Sequence, residues 1–214
     1  MLEKRELVSD TIEITAKTAL SVIPVGGTLV SCVWDSVKGH VAQRRLDEWK
    51  QLVEERLRVL DSTLEDIGNN EVFASVMMRA TETAIKTSEN EKRIYLANAV
   101  KNSIDVEISE SVVMMYMDMI EEYTAWHMKI LTYFRNPSAI IKSNPYSMGS
   151  AMEPLLQAFP EMVGHQELVD KMVNDMQVRG LLTNGNYLHT TMTGKGMVDA
   201  RITKFGRDFL DFLN

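Results

Sequence analysis

Side chains able to do covalent or acid–base chemistry are sparse in this chain and do not fall at catalytic spacing. The single cysteine is Cys32, and the histidines are His40, His127, His165 and His189. Their separations give no CxxC, no HExxH and no local Cys/His set for zinc. No GxSxG stretch marks a nucleophilic serine. Glu54-Glu55 and Glu121-Glu122 are sequence neighbours, so their carboxylates diverge on a helix and read as solvated surface. Gly26-Gly27 lacks the spacing of a dinucleotide loop and the Lys-Ser/Thr of a phosphate loop. Thr193-Gly194-Lys195-Gly196 offers a glycine–lysine pair, but it falls where a β-turn is expected rather than before a helix. The chain is therefore expected to have no catalytic residue, no metal site and no cofactor, and not to be an enzyme.

Charge is the stronger signal. The chain carries a net charge of −7, so any nucleic-acid contact needs a local basic patch. Residues 1–123 hold 14 basic and 22 acidic side chains, whereas residues 124–214 hold 9 and 8. Within the second half, Lys195, Arg201, Lys204 and Arg207 cluster and form the candidate contact for nucleic acid or another anion. Residues 165–179 differ: Lys171 and Arg179 stand against Glu167, Asp170 and Asp175. A helix that reads DNA usually brings arginine, lysine, asparagine or glutamine to the bases, and carboxylates beside phosphates oppose binding. Glu167, Asp170, Lys171 and Asp175 are thus the candidate protein contact.

These groups sit in a mostly α-helical pattern. Residues 10–23 read as a first helix with Asp10 and Glu13 as a capping box, broken by Pro24-Val25-Gly26-Gly27, and Thr28 caps a second. The stretch 18–34 has no charge over 17 residues. It reads either as a buried helical hairpin or as a segment able to enter a bilayer. Residues 41–67 form a long amphipathic helix, with Leu46, Val53, Leu60 and Ile67 seven apart and Trp49, Leu57 and Leu64 widening the stripe. Residues 71–87 make the next helix, with Val72, Val76, Ala80 and Ala84 on one side. Ser88 and Glu91 suggest a capping box for a helix burying Ile94, Leu96, Ala97, Val100 and Ile104. Residues 109–123 follow, where Met114-Met115-Tyr116-Met117 reads as core before adaptable surface.

The rhythm changes from Thr124. A helix over 125–134 stops at Asn136-Pro137, and Ser150 with Glu153 caps a short helix that Pro160 ends. A strongly amphipathic helix, 166–179, carries Leu168, Val169, Met172, Val173 and Met176, with Gly180 as its left-handed terminator. Asn184-Gly185 is a turn signal, 187–193 and 197–202 read as the strands of a hairpin, and Thr203 caps a closing helix. The expected division is a helical bundle over 1–123 and a second domain over 124–214.

The order helix, helix, helix, hairpin, helix, with Val178-Arg179-Gly180-Leu181-Leu182 and Arg201-Ile202-Thr203-Lys204-Phe205-Gly206-Arg207-Asp208-Phe209-Leu210, resembles a bacterial winged helix-turn-helix with a small β-hairpin wing. That resemblance implies a fold and leaves the ligand open. Ile23-Pro24-Val25-Gly26-Gly27 and the run 91–102 resemble the Abi-alpha group of abortive-infection, anti-phage proteins, which brings no catalytic motif. One cysteine and a charged N-terminus without a signal-peptide pattern point to a reducing, cytoplasmic setting. The expected function is a non-enzymatic bacterial interaction or regulatory protein that uses its winged helix on a protein partner or on itself. The alternatives are a DNA-binding regulator acting through the wing and a membrane-active effector acting through 18–34.

Overall fold

The computed structural model describes residues 40–58, 70–104, 108–141 and 147–214. They are mostly helical, and the chain divides into two compact units: residues up to Glu122 together with Phe212–Asn214, and Tyr123–Asp211. The expected helices over 10–23 and from Thr28, the 18–34 stretch, and Leu60, Leu64 and Ile67 lie outside the described residues.

In the first unit, α1 (His40–Leu57) packs on α2 (Glu71–Lys86) and α3 (Asn90–Asn102), and α2 also packs on α4 (Glu110–Glu122). The inner face of α1 is Ala42, Trp49, Val53 and Leu57. Asn70 caps α2, its side chain accepting from the Phe73 N–H at 2.9 Å. Alanines at 80, 84, 97 and 99 are fully buried, and their small side chains suit close helix packing. The Trp49 indole donates to Thr81 Oγ1 at 2.9 Å, and that hydroxyl donates to Met77 O at 2.7 Å. A buried donor and its acceptor are thereby both satisfied.

Two expectations change in this unit. Glu89, not Ser88, precedes the first turn of α3, because the Thr87 hydroxyl takes the Glu89 N–H at 3.2 Å and fixes the connection. The α3 stripe is also rotated: Ile94 is exposed and Arg93 is buried, held to Glu48 at 3.0 Å and to Asn90. An arginine stem and a paired guanidinium fill the place expected of an isoleucine. On α4 the methionine run splits, with Met117 buried and Met115 exposed.

The second unit holds α5 (Ala125–Arg135), the single turn α6 (Pro137–Ile140), β1 (Met148–Gly149), α7 (Met152–Ala158) and a 3-10 turn (Pro160–Met162). After these come α8 (Gln166–Val178), β2 (Met192–Thr193), the turn α9 (Gly194–Met197) and α10 (Lys204–Phe212). Glu153 accepts from the Ser150 N–H at 2.8 Å and from its hydroxyl at 2.6 Å, so the two expected residues pair, but Ala151, not Ser150, is the residue that precedes the first turn of α7. Gly180 ends α8 with φ +74°, as expected. The core joins Leu131, Phe134, Leu155, Val169, Met176, Leu182 and Phe209.

The strand reading of 187–202 needs correction. Of those residues only Met192–Thr193 forms a ladder strand, and its antiparallel partner is β1, with Met148 opposite Thr193 and Gly149 opposite Met192. A lone bridge joins Leu182 and Ile202. The expected hairpin is absent because local hydrogen bonds compete with it. The Asn186 carbonyl accepts from the His189 and Thr190 N–H groups, and from the Thr190 hydroxyl at 2.7 Å. Thr193 Oγ1 accepts from the Gly196 N–H and opens α9. The Thr193-Gly194-Lys195-Gly196 stretch therefore begins a helical turn rather than a β-turn.

Candidate interaction surface

The inner stripe of α8 is Val169, Met172, Val173 and Met176, all buried. Burying that stripe turns the other side of the helix to solvent, and what it displays is set by spacing. Leu168, Lys171, Asp175 and Val178 follow one another at three and four residues, so they form one outward row. Leu168 is 42% exposed and Val178 78%. Periodicity in the sequence assigns Leu168 to the core. Its inward neighbour Val169 fills that place, and Leu168 belongs to the opposite row.

Of the charged candidates on α8, one pair is engaged internally and Asp170 reaches the following loop. Lys171 Nζ lies 2.8 Å from Asp175 Oδ2, one turn along the helix. Asp170 Oδ1 is 2.8 Å from His189 Nε2, which ties α8 to the following loop. Gln177, one of the side chains available for base reading, instead donates to Gly185 O at 2.8 Å and to Thr183 O at 3.2 Å. Glu167 is exposed and makes no ion pair among the described residues. His189 does not stand out in the sequence, because its partner lies nineteen residues away and nothing local marks the pair.

The four cations of the candidate anion contact are placed unequally. Arg201 is half-buried: its guanidinium sits 5.3 Å from the Tyr187 ring centre and donates to Gly196 O at 2.9 Å. It braces α9 against Tyr187 rather than facing solvent. Lys204 pairs with Asp208 at 2.7 Å, and Arg207 donates to Ile202 O at 3.1 Å. Lys195 is exposed on α9 and has no ion pair among the described residues. A phosphate contact by all four would compete with these three pairings and with the stacking of Arg201 on Tyr187.

Elsewhere, charge clusters hold structure. Arg79 on α2 bridges Asp118 at 2.6 Å and Glu121 at 2.8 Å on α4, and Lys92 donates to Glu121 O at 2.7 Å. The hydrogen bond that Arg79 donates to Glu121 raises its pKa further above the ordinary value, and burial pulls Lys92 below its own. His127 accepts the Thr124 N–H at Nδ1, 3.1 Å away, and stacks on Tyr123 with ring centres 4.6 Å apart. It caps α5. Among the described residues no set of His, Cys, Asp and Glu side chains converges as a metal site, and no helix is long and apolar enough to cross a membrane.

The chain matches no protein-family model, no characterised protein and no solved structure.

Proposed function

We propose that this chain is a non-enzymatic interaction protein whose second unit is a winged helix that turns α8 toward a protein surface. The observation that carries this reading is the outward row of α8. Two aliphatic side chains, Leu168 and Val178, stand in solvent at its ends, and its lysine is engaged with Asp175. Apolar anchors flanking satisfied charges suit a protein contact, whereas DNA binding draws on free cations. The winged-helix assignment is supported by the order of α5, β1, α7 and α8, then the Leu182–Ile202 bridge, then α10. The resemblance to abortive-infection proteins supports a setting in anti-phage defence, where the contact would be with a second copy or with another protein.

The test is the double substitution Leu168→Asp and Val178→Asp. Both side chains are exposed, so a denaturant melt should move by no more than about 0.5 kcal/mol. Light scattering should show self-association, or a pull-down should show partner capture, in the parent protein and its loss in the variant. A parent protein that stays monomeric and captures nothing overturns the reading. Gel-shift binding at about 50 mM salt, lost on Lys195→Ala, would instead assign the chain to DNA.

A further inference from the structure

The outward row of α8 has an internal symmetry. Leu168, Lys171, Asp175 and Val178 are spaced three, four and three residues apart, the alternation of a two-helix seam. Counted from Val173, midway along, Leu168 and Val178 each stand five residues away, and Lys171 and Asp175 each two. Reversing the direction of the helix therefore exchanges the two aliphatic side chains and exchanges the lysine with the aspartate. The flanks follow the same rule: Glu167 lies six residues before Val173 and Arg179 six after it, and both are exposed. Along this face the charges run minus, plus, minus, plus, and reversal turns each into its opposite.

We propose that α8 pairs with α8 of a second copy of this chain, antiparallel and about a two-fold axis level with Val173. This rests on reading α8 as a protein contact and names its partner. In that arrangement Leu168 meets the partner's Val178 at one end of the seam, and Val178 meets the partner's Leu168 at the other. Lys171 keeps its own Asp175, 2.8 Å away, and gains a second carboxylate across the seam. Two lysines and two aspartates then alternate around the axis. A parallel pairing would set lysine against lysine and aspartate against aspartate, so charge selects the antiparallel one. A two-fold contact needs a patch that complements itself under rotation, and a row that inverts its own charges meets that condition. The helix has 13 residues, so the seam is short. The pair therefore belongs with weak interfaces, below about 1,200 Å² in total.

Sedimentation of the full-length chain over a concentration series tests this, and the parent should show a monomer–dimer equilibrium. Lys171→Asp would put four carboxylates into the seam of a dimer, and Asp175→Lys four ammoniums. Each variant alone should self-associate at least roughly tenfold more weakly, because like charges then face each other. Mixed, the two variants should pair with each other at close to the parent affinity, since each meets the opposite charge. A second arm uses oxidative cross-linking in a Cys32→Ser background, which removes the native thiol. Leu168→Cys and Val178→Cys chains should cross-link when mixed and hardly at all when alone. Like positions lie about 15 Å apart along antiparallel helices, whereas a disulfide needs Cα atoms within about 7 Å. If a charge variant does not fold, the cross-linking arm decides. A parent that stays monomeric up to about 1 mM, the weak end of the affinity scale, overturns the proposal. So do unchanged association in either charge variant, folded variants that stay apart when mixed, and cross-linking strongest between like positions. If the parent is monomeric but its α8 captures another protein, the self-pairing fails and the protein-contact reading stands. If it also captures nothing, both fail.

Discussion

At the scale of single residues, Gly206 shows how little room the second unit leaves. A Cβ there would lie 2.2 Å from the Leu181 carbonyl oxygen and 2.8 Å from Ile202 Cγ1. The backbone oxygen cannot swing away, because it accepts from the Thr203 N–H at 2.9 Å. Gly206→Ala should therefore destabilise the chain by about 3 kcal/mol or more, at the upper end of overpacking costs. A denaturant melt measures this, and a change below about 1 kcal/mol would mean that α10 shifts freely. Tyr187 gives a pH-dependent prediction. Burial pushes its phenol up to about 12 from an ordinary 10, against the opposing pull of nearby Gln177 and Arg201. The folded state thus favours the protonated phenol, so this stability is full below pH 10 and is lost as pH rises toward 12. Tyr133, raised further still by burial, adds to the same alkaline loss. Tyr187→Phe should flatten the fall in melting temperature between pH 10 and 12, and an unchanged profile would show the ring to be solvated. Neither residue announces itself in the sequence. Gly206 reads there as an ordinary helical glycine, and the burial of a tyrosine hydroxyl depends on partners far along the chain.

At the scale of elements, the Trp49–Thr81 bond couples α1 to α2. Thr81→Val removes the acceptor and leaves a buried indole N–H without a partner, which should cost about 1–3 kcal/mol. Trp49→Phe in that background should cost less than in the parent. A double-mutant cycle with a coupling near zero would show that the two act independently. The helices themselves are readable where caps and breakers agree with a strong apolar stripe. Gly180 marks an element boundary in both sequence and structure, and Ser150 pairs with Glu153 one residue ahead of the α7 cap, Ala151. The stripe of α3 escapes periodicity because its burial depends on an ion pair, Arg93 with Glu48, which looks like solvated charge in sequence. The hairpin is a false signal because threonines favour strands on average. Here Thr190 and Thr193 spend their hydroxyls on local turns. The outward row of α8 is half legible: its carboxylates and lysine stand out by charge, while the exposed Leu168 looks like core.

At the scale of the whole molecule, the two units differ in how they are assembled from the chain. The second is a continuous stretch, whereas the first takes its last three residues from beyond it. Leu213→Ala should therefore act on the first unit, costing about 2–5 kcal/mol as for other buried leucines. Hydrogen exchange should show faster opening of α3 and α4 and an unchanged α8. Acceleration confined to α8 would contradict that assignment. The same arrangement constrains the order of events during synthesis. When α4 leaves the ribosome, Phe212 and Leu213, whose seat is formed by Tyr116 of α4 and by Asn98 and Asn102 of α3, have yet to be made, and the whole second unit must be translated before them. At about 5–20 residues per second that interval is on the order of 10 s, far longer than a small helical unit needs to collapse. The nascent first unit must spend that time with its apolar seat open. In that window the seat is accessible to a chaperone or to a neighbouring nascent chain, even if it is closed for most of the life of the finished protein.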